Sequence, residues 1–440
     1  MHSLARPADQ VSDEPAVARG PWAWIPTLYL AEGLPYVVVM TVSVIMYKGF
    51  GISNTDIALY TSWLYLPWVV KPLWSPVVDI LGTRRRWIWA MQLLIGGGLA
   101  GVALTTPLPH FFQWTLAFFW LLAFNSATHD IAADGFYLLA TTEKQQAFFV
   151  GVRTMFYRIA TIAGQGLLVM LAGTIQARTG NTRLAWTVVM GVLAVAFLGF
   201  GLWHRFVLPR PGVDRPGDVH RIPHFVREFL GTFGSFFRRS RIGVVLLFLL
   251  LYRLGEAQLV KMAAPFLLDG RDKGGLALST TQVGFIYGTV GILALTLGGI
   301  LGGWAISSHG LKKWLWPMML AIHLPDAVFI YLAHVQPHSL PLIQLGVALE
   351  QFGYGFGFTA YLMYMIYLAR GKHQTAHYAI CTGFMALGMM LPGMWSGWLQ
   401  DHIGYPRFFT VVILATIPSF IAALWIPLQS DFGRKVSSSG

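Results

Sequence analysis

Charge is what this chain has least of. Asp, Glu, Lys and Arg make up 11% of its 440 residues, whereas a soluble domain carries about 25%. Hydrophobic residues reach 55%, and the mean hydropathy is +0.58. Too few ionic groups remain to cover a surface that faces water, which excludes an ordinary soluble globule and points to an integral membrane protein. Cysteine is nearly absent too. The single Cys381 excludes an intrachain disulfide and any cysteine metal cluster. The first 20 residues are polar and lack the apolar core of a cleaved signal peptide, so the first hydrophobic segment is expected to be the anchor itself.

Long apolar runs take the place of charge. Twelve stretches are long enough to cross about 30 Å of hydrocarbon as helices, near 22–47, 56–80, 87–106, 111–134, 146–173, 185–207, 242–268, 281–306, 314–334, 340–368, 374–400 and 405–427. An even count puts both termini on one side. With the termini inside, the inner segments hold 20 Lys and Arg and the outer segments 6, the excess expected of cytoplasmic loops. The net charge of +12 is therefore a topology signal and argues against nucleic acid as a partner. The chain divides into a cytoplasmic tail 1–21, a six-helix bundle 22–208, a cytoplasmic linker 209–241, a second six-helix bundle 242–427 and a cytoplasmic tail 428–440. Within the linker, 222–230 reads as an amphipathic helix lying on the inner leaflet.

The halves repeat each other. Ser53-Asn54-Thr55-Asp56 opens the second span and Ser279-Thr280-Thr281-Gln282 the eighth, both as helix N-caps. Asp79-Ile80-Leu81-Gly82-Thr83-Arg84-Arg85 corresponds to Ser307-Ser308-His309-Gly310-Leu311-Lys312-Lys313, and Glu32 to Glu256. Offsets of 226, 228 and 224 are close enough together to indicate duplicated six-helix halves.

Six carboxylates fall inside spans, namely Glu32, Asp130, Asp134, Glu256, Asp326 and Glu350. Five bases accompany them: Lys71, Arg153, Arg158, Arg253 and Lys261. A carboxylate near a bilayer centre costs about 2.5–3.5 kcal/mol on the most lenient scale, so such groups face a partner or a water-filled path. Each is as well placed to be a silent interhelical bridge as a working group. Asp130 and Asp134 stand one helical turn apart on one face and rank first for proton coupling, followed by Glu32 and by His129, whose bland alternative is a hydrogen bond to a neighbouring helix. Arg153 or Arg158 would turn Asp134 into a gate instead. For substrate binding the candidates are Glu32, Lys71, Asn125, Arg158, Gln258, Lys261, Glu350, Gln351, Tyr354 and Tyr361. Lys71 is flanked by apolar residues and needs an anion, Gln258 offers donor and acceptor, and the tyrosines can stack on a sugar ring or serve as plain packing. Arg253 and Glu256, at i, i+3, are either an internal pair or a gate. His323 with Asp326, and His373 with His377, offer two ligands each, too few for a metal site, so neither a metal nor another cofactor is expected.

The loop Asp79-x-x-Gly82-x-Arg84-Arg85 resembles the signature loop of the major facilitator superfamily. Gly33-Leu34-Pro35, Lys71-Pro72-Leu73-Trp74-Ser75-Pro76, His129-Asp130 with Asp134-Gly135, and Tyr157-Arg158 are similar to the muropeptide permeases of the AmpG type, which share a wider family with acetyl-CoA carriers and siderophore importers. The resemblance implies an all-α membrane protein with twelve transmembrane helices in two pseudo-symmetric bundles, the major facilitator fold. It also implies a cytoplasmic latch made by Asp79, Arg84 and Arg85, weaker in its second copy, where Ser307 replaces the aspartate. Two departures stand out: His129 occupies a position commonly held by glutamine, and Glu32 one commonly held by a small residue. The function implied is a proton-coupled, monomeric importer of peptidoglycan-derived muropeptides or related amino-sugar compounds in a bacterial cytoplasmic membrane, working by alternating access. Siderophore or acyl-CoA import is the alternative within the family. A membrane acyltransferase using His129 and Asp130 is the rival class, and it leaves the duplicated halves without a purpose.

Overall fold

In hydrocarbon a backbone amide has no water to bond, so each crossing segment must satisfy its own amides as a helix. The computed structural model obeys this: of the described residues, which are 20–215, 231–371, 374–429 and 432–434, 85% are helical and none is in a strand. The amphipathic helix expected at 222–230, both chain ends, and His373 lie outside that set, as does the side chain of Asp79.

Eight segments are long and apolar enough to cross a membrane: Pro21–Gly49, Arg84–Thr105, Lys144–Thr179, Thr182–Val207, Ile242–Leu268, Thr280–His309, Leu311–Val335 and Ala376–Ala423. The last holds two crossings, separated at Gly404, whose φ of 75° is left-handed backbone that glycine adopts without strain. The remaining three crossings are Asn54–Trp63 continued by Leu66–Leu81, then Phe111–Ala140, and Leu340–Ala369. These three carry Lys71, the Asp130 and Asp134 pair, and Glu350 with Gln351. In chain order the crossings make twelve spans among the described residues, arranged in the major facilitator fold.

Local sequence explains the interruptions. Ser53 accepts a hydrogen bond from the Asp56 amide at 3.0 Å to start span two. Ser279 and Gln282 form a reciprocal capping box at the start of span eight. Span one, with Pro35 inside it, relaxes into a π-helical stretch at Val38–Val42. Span seven breaks at Tyr252–Arg253 and span nine at a 3₁₀ turn, Leu324–Asp326, containing Pro325. Span four runs on to Ala140, beyond the expected 134, because Phe136 to Leu139 continue the apolar run. Asp134 therefore sits inside the helix.

Span three packs on spans four and six and span one on span five; in the second half, span ten packs on spans eight and nine and span seven on span eleven. Between the halves, span two lies along span eleven and span five crosses span eight. At that crossing both helices are π-helical, over Ala163–Leu168 and Ile286–Gly291. Backbone meets backbone there, with no room for a Cβ on Gly288 against Gly166. Gly288→Val is therefore expected to part the two helices and to destabilise the purified protein by about 1–3 kcal/mol, the usual cost of overpacking. Gly303→Val, on the same span with open space around it, is expected to leave the thermal unfolding midpoint unchanged.

Candidate functional site

Three carboxylates converge in the first half. Glu32 of span one and Asp130 and Asp134 of span four bring carboxylate oxygens within 4.8 Å of one another. The two aspartates share a helix face, and span one reaches them because Gly33 lets its backbone lie against span five, where a Cβ would stand 2.8 Å from that of Ala160. Two bases answer the three acids. Lys71 of span two donates to Asp130, and Arg153 of span five donates to Asp134 at 2.7 Å. Tyr29 also donates to Asp134, at 3.2 Å, and its ring lies 4.5 Å from the Arg153 guanidinium. Glu32 is 8% exposed, and its Oε2 has no partner among the described residues. The paired ions are more open: side-chain exposure is 27% for Lys71, 22% for Asp130 and 45% for Asp134.

His129 turns away from this cluster. It is 1% exposed and bonds Gln92 of span three at 2.9 Å. Gln92 in turn bonds His204 of span six at 2.8 Å, and His204 bonds Thr27 of span one at 2.9 Å. That chain ties four helices together and is the bland alternative for His129. Gln92 and His204 were legible as lone polar residues in apolar spans, yet sequence reasoning passed over them.

In the second half, Arg253 grips Glu256 with both prongs, at 2.8 and 2.5 Å, and donates to the Tyr354 hydroxyl at 3.0 Å. The break in span seven at Arg253 permits this grip. The pair is internal to span seven and does not bridge the halves. Tyr361 is fully buried, donates to the Leu249 carbonyl at 2.6 Å and stacks on Tyr252, which places it in the packed core. Glu350 and Asp326 are 3% and 2% exposed, and neither makes an ion pair among the described residues. Glu350 accepts from its neighbour Gln351 at 3.0 Å.

Lys261 does bridge the halves. It is 2% exposed, donates to Thr61 of span two at 2.8 Å and lies over the Tyr65 ring. No carboxylate pairs with it among the described residues. One turn before it, Gln258 donates to the Leu254 carbonyl at 3.1 Å and leaves its Oε1 without a partner. Asn125 has an unpartnered Nδ2, and Arg158 makes no ion pair among the described residues. An unpartnered donor on Asn125 and an unpartnered acceptor on Gln258, with Lys261 at the seam, are a setting for a polar ligand.

The two ends of the molecule differ. At the end bearing Lys48, that lysine pairs with Asp269 at 2.6 Å and donates to Asn54 at 2.8 Å. Asn54 donates to Gln400 at 2.5 Å and to Tyr405 at 3.0 Å, and Tyr405 donates to Asp269 at 2.6 Å. Thr55 adds two bonds to Asp401, at 3.0 and 2.7 Å. This network welds spans one and two to spans seven, eleven and twelve, and sequence reasoning missed it. At the opposite end Arg84 and Arg85 bind groups of their own half. Their amides bond the Asp214 carboxylate at 2.9 and 3.1 Å, the Arg85 side chain holds the Leu208 and Arg205 carbonyls, and the Arg84 side chain lies on Gly135 of span four.

If Lys71 and Asp130 are a true couple, removing either alone is worse than removing both. Lys71→Met is expected to lower stability by about 1.5–3 kcal/mol, the range for a charged hydrogen bond, and Lys71→Met with Asp130→Asn to recover much of it. Thermal unfolding of the purified variants measures both.

Comparison with known proteins agrees with this architecture. The model of the BT1 family matches residues 31–426. The chain is 26% identical over 415 residues to the putative transporter AmpG 4 of Rickettsia conorii, covering 91% of this chain and 94% of that protein. It is 23% identical over 407 residues to the anhydromuropeptide permease of Escherichia coli K12, covering 90% and 78%. Among solved structures, the nucleoside transporter NupG superposes with a TM-score of 0.67 at 16% identity over 91% of this chain and 96% of that one. The inward-open xylose transporter XylE from E. coli gives 0.64 at 11% identity, covering 92% and 95%.

Proposed function

The chain belongs to the BT1 family of membrane transporters, and from that premise we propose that it is a proton-coupled importer of peptidoglycan-derived muropeptides or related amino-sugar compounds. The observation that carries the coupling is the imbalance of three carboxylates against two bases at Glu32, Asp130 and Asp134. Three acids held together by two cations leave one negative charge to neutralise, and at the buried Glu32 a proton is the smallest group that does so. Loading that proton relaxes the cluster. Releasing it leaves Glu32 to compete for Lys71 and Arg153, and the change in pairing across spans one, two, four and five supplies the bias between two conformations.

Substrate class is supported by the names of the relatives, one of which is an anhydromuropeptide permease. The groups between the bundles suit such a ligand. Lys261 and Arg158 offer positive charge, Gln258, Asn125, Glu350 and Gln351 donors and acceptors, and Tyr354 a ring to stack on a sugar. The Lys48 end is read as the outer side, where positive charge is sparse, and the Arg84 end as the cytoplasmic side. In that orientation the network around Lys48, Asn54 and Asp269 is the outer gate, shut here, while the half-buried Asp134 and Arg153 mark the inner mouth.

Uptake into proteoliposomes tests the reading. Wild type is expected to accumulate labelled anhydromuropeptide when the outside is acidic. Asp130→Asn is expected to lose accumulation while keeping exchange between internal and external substrate. Uptake of a siderophore or acetyl-CoA with no uptake of any amino sugar would overturn the substrate class, and unimpaired accumulation by Asp130→Asn would remove that residue from coupling.

A further inference from the structure

The second bundle holds a cavity of about 400 Å3 that transport leaves unused. It lies where the chain enters span seven, between the ends of spans ten and twelve. Arg239 and Ser240 line it from the span-seven side, Arg370 and Gln429 face them, and Val245 and Pro427 supply apolar wall. Among the described residues its lining includes no Asp or Glu.

The positive charge in this cavity is fixed in place. Arg239 donates to the carbonyls of Leu368 and Arg370 and, at 2.7 Å, to Nδ1 of His377. Carbonyls orient a guanidinium but do not cancel its charge. The Arg370 guanidinium rests 4.1 Å from the Phe432 ring centroid, and neither arginine pairs with an acid among the described residues. Arg238 and Arg241 add to the same field, the latter bonding the Trp425 carbonyl at 3.5 Å. Leu424 and Trp425, three and two residues before the lining Pro427 at the end of span twelve, are 63% and 54% exposed, an apolar wall close in the chain to the basic floor.

A soluble anion would use the charge and leave that wall bare. A lipid uses both, since its phosphate meets the arginines and its chains run down the exposed face. We propose that this cavity binds the phosphate of an anionic glycerophospholipid, tying the entry of span seven to the ends of spans ten and twelve. Basic pockets between transmembrane helix ends are suited to such headgroups. The orientation proposed above places the lipid in the inner leaflet, but the binding itself does not depend on that orientation.

Native mass spectrometry of the purified full-length protein tests this, with phosphatidylglycerol or phosphatidylcholine added in turn. Wild type is expected to retain phosphatidylglycerol in preference to phosphatidylcholine. Ser240 and Arg370 are both exposed, so Ser240→Asp and Arg370→Gln spare the fold. Each is expected to lower phosphatidylglycerol retention about fivefold, the effect of one basic residue near an anionic surface, with phosphatidylcholine unchanged. Equal retention of the two lipids by wild type, or variants that match it, overturns the proposal. So does displacement of the lipid by inorganic phosphate at equal concentration, which would mark a site for a soluble anion.

Discussion

The charged groups of this molecule answer to one constraint: a charge inside the bilayer must face an opposite charge, a hydrogen-bond partner or a water-filled path. At the centre of the first half the constraint is almost met. Lys71 serves Asp130 and Arg153 serves Asp134, while Glu32 stands a few ångströms away with an unpartnered oxygen. The bends of the helices follow from that arrangement. Span one must approach span five closely at Gly33, and span four must run on past Asp134 to Ala140, for the three acids to meet.

The two ends of the molecule differ in what ties the halves to each other. One end is closed by side chains, through the network of Lys48, Asn54, Asp269, Gln400 and Tyr405, and by backbone, where Gly166 meets Gly288. At the other end the arginines that open span three hold their own half together through Asp214 and the end of span six. A carrier that alternates access needs one set of contacts across the halves that can break and another within each half that cannot. Lys261 is the contact that belongs to both descriptions, since it crosses the seam to Thr61 and pairs with no acid among the described residues.

Much of this was legible in the sequence, for physical reasons. Twelve apolar runs, the serine caps at Ser53 and Ser279, and carboxylates at one-turn spacing are local features, and local features survive in a linear string. Arg253 with Glu256 could be read as a pair because the partners are three residues apart. What escaped is what depends on distant segments. Lys48 and Asp269 stand 221 positions apart and looked like ordinary loop charges. Asp214 caps a helix that began 130 positions earlier. The chain from His129 through Gln92 and His204 to Thr27 draws on four spans, so the histidine stood in the sequence beside Asp130 while its side chain served another neighbour. Tyr361, open in the sequence to a sugar platform or to plain packing, puts its hydroxyl on a backbone carbonyl in the core.

The central claim is that the extra carboxylate of the cluster carries the coupled proton, and a direct measurement of proton movement tests it. Liposomes containing the purified protein and a lumenal pH indicator, at equal pH inside and out, receive an external pulse of anhydromuropeptide. The account predicts that the lumen acidifies as substrate enters, and that Glu32→Gln takes up substrate down its gradient without any pH change. Substrate entry through the wild-type protein with no acidification, or acidification that persists unchanged in Glu32→Gln, would contradict it.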